Sequence, residues 1–105
     1  MQYVVHCVNG GDFTTLTINA ASERAVVEYL YTNVESAELP NCPISMQYYL
    51  QELRDYMEEN GGCAIWDISC DGVQLEQFVN DYEYADTWDM AEANGHRYVT
   101  STVNL

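Results

Sequence analysis

The sequence predicts an α+β fold, with a small, mostly antiparallel sheet of about four to five strands and two to three helices packed on one face. Three observations carry this expectation. Runs rich in β-branched residues flank two turn signals, Asn9-Gly10-Gly11-Asp12 and Asp71-Gly72. Two segments between those turns carry apolar residues at helical spacing, each opened by a serine. No long linker, low-complexity tract or internal repeat interrupts the 105 residues, a length typical of one domain, so residues 1–105 are expected to form a single unit.

Residues 2–8 and 13–20 are predicted strands. In Phe13–Ala20 the period of two puts Leu16 and Ile18 on one face, and the threonines favour extended backbone. With the Asn-Gly-Gly-Asp turn between them, the two runs form a hairpin. Ser22 is a helix N-cap for a segment from Glu23 to about Val34, where Val27, Leu30, Tyr31 and Val34 form the apolar stripe. Pro40 and Pro43 then break regular structure. Ser45 caps the clearest helix, Met46 to Glu59, whose stripe is Met46, Tyr49, Leu50, Leu53, Tyr56 and Met57. Asn60-Gly61-Gly62 ends it, because glycine adopts the left-handed conformation that closes a helix.

Residues 63–70 are a third strand. Residues 73–79 fit two patterns: a strand continuing a hairpin across Asp71-Gly72, or a helix aligning Leu75, Phe78, Val79 and Tyr82. The turn signal favours the strand. Over Glu83–Glu92, Tyr84, Trp88 and Ala91 share one helical face, with Asn94-Gly95 as a stop. Arg97–Leu105 alternates as a last strand. The expected order is β-β-α-α-β-β-α-β.

Composition sets the outlier. Hydrophobic residues make up 48% of the chain, enough for a core, and no apolar run is long enough to cross a bilayer. The opening MQYVVHCVNGGDF has neither a basic n-region nor a small-residue cleavage site, so a cytoplasmic setting is expected. Seventeen acids face three arginines, Arg24, Arg54 and Arg97; lysine is absent, and the formal net charge is −14. A small domain tuned for solubility alone carries a magnitude of about 2 to 8. Self-repulsion at −14 opposes the compact state. Such a field repels nucleic acid and anionic membranes and attracts basic surfaces.

Signatures of catalysis are weak. Any acid-rich chain supplies carboxylate pairs, and no G-x-S-x-G, P-loop, G-x-G-x-x-G or H-E-x-x-H occurs. No EF-hand loop is present, and acids three residues apart on a helix diverge too far to wrap one ion, so no metal or cofactor is expected. The cysteines, Cys7, Cys42, Cys63 and Cys70, lack a C-x-x-C; buried reduced thiols are expected of them. His6 and Cys7 are neighbours on a strand, point to opposite faces and form no dyad with each other.

The acids themselves are the pattern. Glu83, Asp86, Asp89 and Glu92 recur every third residue, opposite Tyr84 and Trp88. Glu52, Asp55 and Glu58 repeat that spacing on the second helix, with Glu59 beside them. Steps of three residues rise about 4.5 Å along a helix and leave successive carboxylates about 6–9 Å apart. That is comparable with neighbouring phosphates on a nucleic-acid strand, the charge array basic grooves bind. Nearby Gln47, Tyr48, Gln51 and Tyr82 offer hydrogen bonds and aromatic surface.

These eight acids are the expected partner-binding residues. The expected partner is a basic protein surface, such as that of a nuclease or another nucleic-acid-binding complex. The expected role is that of a non-enzymatic inhibitor acting as a nucleic-acid mimic, in the manner of anti-restriction and anti-CRISPR antagonists; the analogy is one of size and charge alone. Two alternatives stand beside it: an acidic adaptor or assembly protein that binds a basic partner without mimicry, and a small enzyme using His6 or a cysteine.

Overall fold

A computed structural model of the chain describes residues 1–9, 12–34, 45–60, 65–78 and 98–105. They form five strands and two helices: β1 (Gln2–Asn9), β2 (Asp12–Asn19), α1 (Glu23–Asn33), α2 (Met46–Asn60), β3 (Ile65–Cys70), β4 (Val73–Gln77) and β5 (Tyr98–Asn104). The strands make one sheet in the order β4-β3-β1-β2-β5. Every neighbouring pair is antiparallel except β2 with β5, which is parallel. The expected α+β class is therefore observed, with a mostly antiparallel sheet and both helices on one face.

The first hairpin pairs Gln2 with Asn19 through to Asn9 with Asp12. This register puts Tyr3, Val5 and Cys7 on the same face as Leu16 and Ile18, and all five are buried. A shift by one residue would turn each of these side chains to the other face, so the core itself specifies the pairing. β3 adds Ile65 and Ile68 to that face. Because β2 and β3 both run antiparallel to β1, they are parallel to each other. The chain between them has to cross the sheet, and it does so through the two helices.

The helices close the core. Ser22 Oγ accepts the Ala25 N–H at the start of α1, and Val34 ends that helix in an extended conformation, its N–H bonded to the Leu30 carbonyl. Val26, Val27, Leu30 and Val34 are buried. The sequence stripe includes Tyr31 and omits Val26; in the fold Tyr31 is half-buried and Val26 fully buried. The buried face of α1 is therefore turned toward Val26 and Val27 and away from Tyr31.

In α2, Ser45 Oγ accepts the Tyr48 N–H and the Ser45 carbonyl accepts the Tyr49 N–H. Met46, Tyr49, Leu50 and Leu53 are buried, and Tyr56 and Met57 are half-buried. These residues join the strand side chains in one hydrophobic cluster. Among the described residues no helix is long and apolar enough to cross a membrane.

The ambiguous stretch is a strand. Asp71 (φ 49°) and Gly72 (φ 85°) both take positive φ, the signature of a type I′ hairpin turn, whose twist matches that of the flanking strands. β4 follows directly, and the Phe78 N–H continues to the Trp66 carbonyl, which carries buried Phe78 back against the core. Trp66 is the extra residue of a bulge, since Asp67 pairs with His6 and Ile65 with Cys7. Its ring meets that of Phe13 edge-on at 5.8 Å, and Phe13 lies 6.2 Å from Tyr98. The predicted helix over Glu83–Glu92 and the cysteines Cys42 and Cys63 lie outside the described residues.

Candidate functional site

The second helix presents the acids. Once Met46, Tyr49, Leu50 and Leu53 are committed to the core, helical geometry directs Gln47, Tyr48, Gln51, Arg54, Asp55, Glu58 and Glu59 outward, and all seven are exposed. Tyr48 is 61% exposed, the most exposed large aromatic side chain among the described residues.

The geometry alters the expected line of Glu52, Asp55 and Glu58. Each three-residue step turns about 60° around the axis, so that line winds from one flank of the helix to the other. The stripe running straight along the helix is Tyr48, Glu52, Asp55 and Glu59, spaced at i, i+4, i+7 and i+11, with Glu58 one step round. Within it Glu52 differs from its neighbours. It is half-buried, and its Oε2 is shielded from solvent with no hydrogen-bond partner among the described residues. The sequence contained the signal: Glu52 stands three residues after buried Tyr49 and four before half-buried Tyr56, at the border of the core stripe. The solvent-facing carboxylates of this helix are Asp55, Glu58 and Glu59.

A polar network ties this face to the sheet edge. Gln51 Nε2 donates to Asp55 Oδ1 at 3.0 Å, and Arg54 Nη1 donates to Gln51 Oε1 at 3.0 Å. Arg54 Nη2 donates to Glu76 Oε2 on β4. The single arginine of α2 is thereby held to an acid. Arg24, on α1, is likewise paired with Glu28 at 2.9 Å. The Arg54–Glu76 pair spans 22 residues of sequence and has no local signal, so sequence reasoning missed it.

The other acid line, Glu83, Asp86, Asp89 and Glu92, lies outside the described residues.

The residues weighed for catalysis are placed as follows. His6 Nδ1 and Asp67 Oδ1 are 2.6 Å apart across the β1–β3 ladder. Cys7 points the opposite way into the core, where burial pushes its thiol up to about 11, away from the thiolate a nucleophile requires. Cys70 is half-buried, with its Sγ 3.7 Å from Asp71 Oδ2. Tyr3, paired with Cys70 across the ladder, is pushed up to about 12, first by burial and then by the neighbouring Cys70 thiol, while its hydroxyl donates to Met1 Sδ at 3.9 Å. The His6–Asp67 pair is a cross-strand contact that sequence reasoning did not find, because it depends on strand order. Among the described residues no three His, Cys, Asp or Glu side chains form a group able to hold a metal ion.

No protein-family model, curated protein or solved structure matches the chain.

Proposed function

We propose that the protein is a non-enzymatic inhibitor that occupies a positively charged, nucleic-acid-binding surface of another protein. The observation that carries this reading is the outer face of α2. Asp55, Glu58 and Glu59 project into solvent about two to three turns along the helix from exposed Tyr48, and the helix's one arginine is tied to Glu76. The face is thus acidic and carries an exposed aromatic side chain, in a chain of net charge −14. Long-range charge steers association with a basic surface, and contacts such as Tyr48 supply specificity once the surfaces meet. Glu83, Asp86, Asp89 and Glu92 add four acids to the same field. By this reading the partner is a nuclease or another nucleic-acid-binding complex, and the inhibitor acts as an anti-defence mimic.

The test is a capture experiment with three arms. The immobilised protein is exposed to lysate, and retained proteins are eluted with rising NaCl, with duplex DNA or RNA, or left untreated on a triple variant (Asp55→Asn, Glu58→Gln, Glu59→Gln). The expected partner elutes with salt, is displaced by nucleic acid and is retained several-fold less by the variant. A partner that stays bound while nucleic acid binds alongside it points instead to an adaptor. Retention insensitive to salt overturns the charged-surface reading altogether. A companion variant, Asp86→Asn with Asp89→Asn, reports on the second acid line; if it alone loses the partner, the contact belongs to that segment and not to α2.

A further inference from the structure

The sheet ends in two edges of different character. β4 is five residues long, its ladder with β3 is broken by a register shift, and it carries Glu76 paired to Arg54. Shortness, irregularity and charge are the devices by which proteins keep an edge strand from pairing with another chain. β5 has none of them. It is seven residues long, its register with β2 runs unbroken from Phe13↔Tyr98 to Asn19↔Asn104, and it contains neither proline nor a charged residue. Among the described residues no strand lies on its outer side.

Its sequence is also symmetric. Val99-Thr100-Ser101-Thr102-Val103 is the same in both directions about Ser101. Two copies of β5 placed antiparallel, with a two-fold axis at Ser101, therefore match like with like. Val99 meets Val103 of the second copy on the helix-bearing face, where both valines are half-buried in the single chain. Thr100 meets Thr102 of the second copy on the other face, where both are exposed.

The backbone fits as well. The Leu105 N–H reaches the Asn19 carbonyl at 2.8 Å, so residues 103 and 105 direct their backbone groups inward to β2. By strand alternation Thr100, Thr102 and Asn104 direct theirs outward. With Ser101 on the axis, Thr100 and Thr102 of the second copy form a hydrogen-bonded pair, and the two Ser101 residues form a close non-hydrogen-bonded pair.

Charge points to the same place. Two copies that each carry −14 repel over most of their surface, and an uncharged strand is where they approach with the least penalty.

We infer that β5 is a self-association edge, through which two copies pair antiparallel about Ser101 into one continuous sheet. The interface is isologous, and because the axis is normal to the sheet, it leaves both α2 helices on the same side. It does not depend on the inhibitor reading, and salt separates the two: rising NaCl screens repulsion between like-charged copies and strengthens this dimer, whereas it weakens capture of a basic partner.

The test combines sedimentation with directed cross-linking. Wild-type protein is expected to sediment as a dimer whose dissociation constant falls as NaCl rises. Thr102→Pro removes an outward N–H without touching the bonds to β2, and is expected to weaken the dimer roughly tenfold or more, given two hydrogen bonds lost per dimer. Ser101→Cys puts two thiols in a non-hydrogen-bonded pair with Cα atoms about 4.5 Å apart, within disulfide reach. It is expected to form a covalent dimer under mild oxidation, while Thr100→Cys, displaced from the axis, forms no more than wild type. Should Thr102→Pro fail to fold, the two cysteine variants decide by themselves. A monomer at every salt and protein concentration overturns the inference, as does equal cross-linking by Ser101→Cys and Thr100→Cys.

Discussion

At the level of single residues, burial dominates the chemistry of the described core. Cys7 is fully shielded, and its thiol is raised from 9.0 to about 11 because the thiolate would lose its hydration. The consequence for stability has a definite sign. A group whose pKa is higher in the folded state favours folding below its unfolded value, and that contribution disappears as pH climbs toward the folded value. Cys7 thus favours the fold below about pH 9, and its contribution is lost between about pH 9 and about pH 11. Tyr3, raised from 10.0 to about 12, extends the loss to higher pH. Urea midpoints measured from neutral pH to about pH 11 are expected to fall from about pH 9 in the wild type. In Cys7→Ala the onset is expected to move up toward pH 10, where Tyr3 begins to contribute. Identical pH profiles for the two proteins would show that Cys7 has no part in the alkaline loss.

At the level of elements, α2 has to satisfy two demands with one sequence. Its inner face anchors the core through Tyr49 and Leu53, and its outer face carries the acids. Glu52 stands where the two meet, and its Oε2 is sealed from water without a hydrogen-bond partner among the described residues. A buried acceptor left unsatisfied costs about 1–3 kcal/mol. Leucine has a similar helix propensity and no polar atom to strand. Glu52→Leu is therefore expected to raise stability by about 1 kcal/mol in urea denaturation, and to leave partner capture largely unchanged, because Asp55, Glu58 and Glu59 remain. A loss of stability would show that the Glu52 carboxylate holds the helix in place. The β3–β4 hairpin shows the opposite situation, in which local chemistry decides alone: the positive φ at Asp71 and Gly72 matches the Asp-Gly pair, so the strand pattern of residues 73–77 prevails over the helical alternative.

At the scale of the whole molecule, net charge opposes the fold while it serves the proposed partner. Both described arginines are paired with acids, yet a chain of −14 still repels itself. Screening acts on that repulsion over the Debye length, about 30 Å at 0.01 M salt and about 10 Å at 0.1 M. At fixed protein concentration, added NaCl is expected to raise the urea midpoint over this range, in the opposite direction to its effect on partner binding. A midpoint independent of salt would show that the acids are spread too far apart in the fold to repel one another measurably.

Much of this protein was legible in the sequence, because the relevant physics acts over a few residues. Alternation placed Leu16 and Ile18, serine caps opened both helices, Asp71-Gly72 specified a hairpin, and counting charges defined the field. Tertiary structure alone decided which strands became neighbours, and everything that depends on strand order came with it. It set β5 parallel to β2 at one edge, brought His6 against Asp67, and drew Arg54 to Glu76 across 22 residues. It also withdrew Glu52 from water while leaving Asp55 and Glu59 exposed on the same stripe. A local pattern states which way a side chain points; only packing determines what meets it there.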